Sequence, residues 1–173
     1  MALLNDDLTY FLEYVHLQLE SRPIDGLRTW SERFTQSREE GRYDLCQRLL
    51  RAVKGYDLPA YGLGIVRYGE GWLHDRTGYW QEAIAAYEDS LKALHAAGMS
   101  KLDVELWNNI GSLYQDQGHW AKAERAYRQA LAIAEQQDNQ HGRAQVLNNL
   151  GNLYLAQNRN EEATGCFEEA IVS

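Results

Sequence analysis

Asparagine recurs in pairs: Asn108-Asn109 is answered 40 residues later by Asn148-Asn149, and Ser112 by Asn152. Asn is a mediocre helix former because its amide competes with the backbone for hydrogen bonds. Its repetition inside stretches of helical periodicity therefore needs a reason. The amide carries a donor and an acceptor together, which is the chemistry that pairs with the backbone of an extended peptide whatever its side chains. The same amide can serve as a strut that hydrogen-bonds a neighbouring helix. Both readings stand at this level.

No other constellation assembles into a reaction centre. The five histidines (His16, His74, His95, His119, His141) are scattered, and none sits four residues from another with a carboxylate between, as a zinc helix needs. Cys46 and Cys166 lie too far apart for a metal-spaced pair. Cys46 falls in a slot that elsewhere holds alanine, and Cys166 lacks a basic activator. The stretch from Gly62 to Gly71 is glycine-rich but lacks the spacing of a phosphate loop. The acidic pairs Glu161-Glu162 and Glu168-Glu169 read as solvent-facing helix positions. No nucleophile, base and orienter come together. The expectation is a protein without catalysis, cofactor or metal.

Charge narrows the partners. With 17 Lys and Arg against 25 Asp and Glu, the formal net charge is −8, and no basic run occurs. Phosphate binding needs a clustered excess of cations, so the charge argues against nucleic acid as a partner and favours basic proteins. The first residues carry acids inside their apolar stretch and no positive lead, unlike a signal peptide. Apolar runs stay a few residues long, too short to span a membrane. Two distant cysteines suit a reducing compartment, and the expectation is a cytoplasmic protein.

The elements that must position the asparagines come from the same repeat. Trp107–Leu131 laid over Leu147–Ile171 places Gly111 on Gly151, Tyr114 on Tyr154, Ala123 on Ala163, Tyr127 on Phe167 and Ala130 on Ala170. One period back, Gly71, Leu73, Gly78, Trp80, Ala83, Tyr87 and Leu91 take the same slots. Ser100 and Asp103 have capping-box spacing for a helix running to about Asp116. A second helix runs from about His119 to Gln137, with Ala123, Tyr127, Ala130, Leu131 and Ala134 on one stripe. Between them Gly118, like Gly78 and Asn158, takes a turn that requires positive φ. Gly111 and Ala123 are small enough to bring the two helices close, with Tyr114 and Tyr127 filling the space beside them.

These residues resemble the tetratricopeptide repeat, whose first helix carries W-x2-L-G-x2-Y and whose second carries A-x3-F-x2-A. The chain has Trp107-x2-Ile110-Gly111-x2-Tyr114 and Ala123-x3-Tyr127-x2-Ala130, then Leu147-x2-Leu150-Gly151-x2-Tyr154 and Ala163-x3-Phe167-x2-Ala170. The resemblance implies an all-α fold: a right-handed superhelical solenoid of antiparallel helix hairpins. Residues 100–139 and 140–173 are the regular copies, and 64–99 is a weaker one in which Arg67 and His74 replace aromatics. Residues 23–63 form a degenerate copy with Phe34 where the packing glycine belongs, and 1–22 an N-terminal capping helix with Leu8, Phe11, Leu12, Val15 and Leu19 on one side. The spacing of 40 exceeds the usual length of about 34, and the closing proline is absent, with His95 and Glu135 in its place. Both features resemble the longer repeats of kinesin light chains, spindle-orientation adaptors and bacterial multidomain regulators.

The resemblance also implies where a ligand would lie. First helices line the concave groove of that fold, so Asn108, Asn109, Ser112, Gln115, Asn148, Asn149 and Asn152 occupy slots like those that face a bound peptide. In the weaker copy the corresponding face holds Tyr68, Trp72, Asp75 and Arg76. Tyr68 and Trp72 either form an aromatic platform or bury themselves against the degenerate hairpin. The lysines of a carboxylate clamp are missing, which argues against a chaperone C-terminus as ligand. The expected function is a non-catalytic module that binds a protein or peptide; the alternative is a sensor segment of a larger signalling protein with a nucleotide-binding, protease or transcription-control domain. Ile171-Val172-Ser173 ends without a polar cap, so either continuation in a longer chain or self-association through that end is expected.

Overall fold

The computed structural model describes residues 2–172, with side chains from Leu8 onward. Over these residues the regular elements are the α-helices α1 (Ala2–Ser21), α2 (Pro23–Glu39), α3 (Tyr43–Val53), α4 (Ala60–Arg76), α5 (Trp80–Ala96), α6 (Asp103–Asp116), α7 (Trp120–Gln136), α8 (Gln140–Ala156) and α9 (Asn160–Ile171). None of them is long and apolar enough to cross a membrane. The chain divides into two compact units, Met1–Gly98 and Met99–Ser173.

In the first unit α1 packs on α2 and α3, the α2–α3 pair packs on α4, and α4 forms a tight hairpin with α5. The apolar side expected of α1 faces this core: Leu8, Val15 and Leu19 are buried, and Phe11 and Leu12 pack against the same cluster. Trp30 is fully buried, and its indole N–H donates to the Leu49 carbonyl at 2.7 Å, which satisfies the one polar atom that burial would otherwise penalise. Pro23 opens α2, where its missing N–H costs nothing. Ser21 does not cap that helix; its hydroxyl donates back to the Leu17 carbonyl.

In the second unit α6–α7 and α8–α9 are hairpins, joined by packing of α7 on α8 and of α6 on α8. Ala123, Tyr127, Ala130 and Ala134 form the buried stripe of α7, meeting Val146, Leu150 and Leu153 from α8 in one core. The turn inside each hairpin has the expected left-handed residue: φ is +81° at Gly78, +71° at Gly118 and +59° at Asn158.

The repeated glycine has a single mechanical role. A Cβ on Gly71 would lie 2.5 Å from the Tyr87 ring, one on Gly111 2.6 Å from Tyr127, and one on Gly151 2.6 Å from Phe167. The ring of the second helix thus rests against the backbone of the first at the glycine. Any side chain at the glycine would force the hairpin open.

One local expectation needs correction. Ser100 is not the N-cap residue of α6, which begins at Asp103 after Leu102. The Ser100 carbonyl instead accepts from the Asp103 N–H at 3.1 Å and from the Gln137 side chain at 2.9 Å, so this segment is a turn pinned to the end of α7.

Candidate functional site

The two asparagine pairs are split between the two roles open to them. Asn108, on α6, is only 5 % exposed. Its carbonyl oxygen Oδ1 accepts from Nδ2 of Asn149 on α8 at 2.9 Å. The strut therefore joins the first Asn of one copy to the second Asn of the next. Equivalent positions on α6 and α8 are displaced along the stack, so the side chains that meet are not equivalent ones. Asn109 remains half-buried, and Asn148 and Asn152 are exposed.

Asn108 and Asn109 open onto a cleft of about 330 Å³ between the amino-terminal halves of α6 and α8. Glu105 and Lys101 continue the α6 wall, and His141 and Gln145 supply the α8 wall. Asn139 closes one end by capping α8, its side-chain oxygen accepting from the Gly142 N–H at 2.8 Å. Gly142 keeps that end open, since a Cβ there would sit 2.6 Å from the Asn139 amide and 3.0 Å from Val104. Asn108, Asn109, Asn139 and Gln145 bring amide donors and acceptors to the lining, beside the charged Lys101 and Glu105.

Ser112 and Gln115, both half-buried, bond across the hairpin to α7. The Tyr127 hydroxyl lies 3.1 Å from the Ser112 hydroxyl and donates to the Gln115 side-chain oxygen at 3.0 Å. Burial pushes the Tyr127 phenol up from its usual range, so it stays protonated and keeps donating. In the weaker copy the Tyr68–Trp72 face already carries a cation. The Arg38 guanidinium, from α2, lies 5.6 Å from the Tyr68 ring centre and 5.9 Å from that of Trp72, and donates to the Tyr68 hydroxyl at 2.6 Å. Arg76 is exposed beside Asp75, with Nε 4.0 Å from its carboxylate.

A second polar cluster, unanticipated from sequence, ties α7 to the α8–α9 turn. Glu124 accepts from Arg159 at 3.0 Å and from the Tyr154 hydroxyl at 3.0 Å, and pairs with Arg128 at 2.8 Å. The Arg159 guanidinium stacks 4.1 Å from the centre of the Tyr154 ring. Burial alone would raise the Glu124 carboxyl, but the hydrogen bonds from Arg159 and Tyr154 and the two positive charges outweigh it and hold the carboxyl below the usual glutamate range. With every member partnered, the cluster is a clasp rather than a reactive site. Cys46 and Cys166 are free thiols, and burial pushes both up, away from thiolate reactivity.

Of the cleft lining, the Asn139-x2-Gly142 spacing was readable as a helix cap. Lys101, His141 and Gln145 carry no local signal, because only the pairing of α6 with α8 brings them to one opening.

No curated protein matches the chain in sequence. The fold is that of solved structures at low identity. A crystal structure of BtubC (BKLC) from P. vanneervenii superposes with a TM-score of 0.77 at 22 % identity, covering 96 % of this chain and 70 % of that one. A crystal structure of MamA superposes with a TM-score of 0.66 at 17 % identity, covering 92 % of this chain and 84 % of that one. Residues 103–171, the span of α6 to α9, match the tetratricopeptide repeat family.

Proposed function

We propose that the tetratricopeptide repeats of residues 103–171 make this chain a non-catalytic protein-interaction module, and that the α6–α8 cleft is where an extended segment of a partner lies. One observation carries the finer reading: the Asn108–Asn149 strut consumes one amide from each pair and leaves Asn109 at the cleft and Asn148 in solvent. The strut holds α6 and α8 at a set spacing, so the remaining amides are pre-organised and a ligand need not order them. Asn109 and Gln145, on opposite walls, would then pair with backbone N–H and C=O groups of the partner. Such pairing is tolerant of sequence, and side-chain preferences would come from Lys101, Glu105 and His141 around it. The free thiols of Cys46 and Cys166 fit a reducing compartment such as the cytoplasm.

The test begins with a partner recovered by crosslinking and a peptide of it bound to the full chain. Asn109→Ala and Gln145→Ala should each weaken that peptide about fivefold, the worth of one net hydrogen bond, without lowering the melting temperature. Unchanged affinity in both variants would reject the cleft as the binding site.

A further inference from the structure

A cleft of about 210 Å³ lies in the first unit, between α3 and the turn that joins α4 to α5. Three aromatic residues contribute to its walls. Tyr43 and Tyr79 are 46 % and 58 % exposed, and His74 lies beside them. Neither ring is loose: Trp72 packs against Tyr43 with centroids 5.7 Å apart, and His74 meets Tyr79 edge-on at 6.0 Å. Leu73 contributes apolar surface between them.

The rim is an acceptor set. Asp44 stands in the first turn of α3 and Gln47 one turn later, both exposed and both lining the opening. Of the neighbouring arginines, Arg42 faces Glu40 at 3.8 Å and Arg76 faces Asp75 at 4.0 Å. Among the described residues, Asp44 makes no ion pair. A carboxylate and an amide carbonyl beside two held aromatic faces suit a planar cation with several N–H donors. The charge lies over a ring face while the fork of donors reads the oxygens.

We infer that this cleft binds the guanidinium of an arginine side chain presented by a partner protein. Arginine is preferred to lysine because its plane can stack on a tyrosine while its N–H groups reach both Asp44 and Gln47; an ammonium is a point charge with a tighter hydration shell. The molecule uses the same chemistry internally, where Arg38 covers Tyr68 and Trp72 and Arg159 covers Tyr154. The net charge of −8 favours encounter with a basic surface. This site is formed by elements of the first unit alone, so it stands or falls independently of the asparagine cleft.

The test is a titration of the isotope-labelled full chain with N-acetyl-arginine methylamide, its lysine counterpart and its neutral citrulline counterpart, read by amide chemical shifts. The arginine compound should shift Asp44, Gln47, His74 and Tyr79 saturably. The lysine compound should bind about threefold more weakly, and citrulline should leave these signals in place. Asp44→Asn and Tyr79→Ala should each lower arginine affinity about threefold or more, with circular dichroism unchanged. The proposal is overturned if arginine produces no saturable shift at these residues, if citrulline shifts them equally, or if both variants bind as wild type does.

Discussion

The α2–α3 and α6–α7 hairpins solve one packing problem with the sizes exchanged. In α6–α7 the first helix offers Gly111 and the second lays Tyr127 on it. In α2–α3 the glycine slot holds Phe34 and the tyrosine slot holds Leu50. The large ring has moved to the first helix, where it stacks on Trp30 at 5.1 Å and meets Trp72 edge-on at 6.2 Å. The accommodating glycine has moved too: a Cβ on Gly69, in α4, would lie 3.0 Å from Phe34 and 3.5 Å from Leu50. What the fold demands is a filled seam with one small residue opposite the ring. The motif is one way of meeting that demand, and its absence from α2–α3 marks a different distribution of volume rather than a looser hairpin.

The sharpest way to break this comparison is to empty the relocated ring. Phe34→Ala should cost about 3–5 kcal/mol in denaturant unfolding, as large-to-small core changes do; a cost below about 1 kcal/mol would mean the seam is not filled by Phe34. Next in size, Gly111→Ala should cost about 1–3 kcal/mol by overpacking. Tyr127→Leu should recover part of that loss in the double variant, since it recreates the smaller partner that Leu50 supplies in α2–α3. Strict additivity of the two changes would deny that they share one seam.

The asparagine pairs sharpen the comparison within the second unit. Asn108→Ala should lower stability by about 1 kcal/mol, the worth of a part-buried hydrogen bond, whereas Asn109→Ala should leave the melting temperature unchanged. Equal effects would erase the distinction between strut and binding amide.

The smallest expected effect is a pH dependence seated in the Glu124 clasp, for which the first unit has no counterpart in the α2–α3 hairpin. The folded carboxyl sits below its unfolded value, so its contribution is complete above the ordinary glutamate range and is lost as pH falls through the folded value. Glu124→Gln should therefore melt lower than wild type at neutral pH, and the gap should close on acidification. A gap that persists or widens in acid would show that the clasp does not depend on the charge.

Much of the hairpin geometry was legible because it rests on local conformation and on period. Gly78, Gly118 and Asn158 must turn with positive φ whatever surrounds them, and each does. The match of Gly111 with Tyr127 follows from the hairpin register, which the turn residue fixes. The candidate binding residues were legible only as types. Ser112 and Gln115 read as groove residues, yet both bond the Tyr127 hydroxyl, because a buried phenol must find a partner and these two lie nearest. The Tyr68–Trp72 pair shares a face as its i, i+4 spacing requires, but no pattern in α4 announces Arg38, which arrives from another helix.

The sequence by itself determined that the chain is built from helix hairpins, where each turns, and which small residues let its two helices approach closely. Those features follow from backbone sterics and from spacings of a few residues to one period. The tertiary structure alone decided that Asn108 binds Asn149 rather than Asn148, that one polar cleft gathers side chains from α6 and α8, and that Tyr43, Asp44 and Tyr79 border another. Such groupings depend on the offset and rotation of neighbouring helices. Those are set by the sum of many side-chain volumes, which no single position in the chain records.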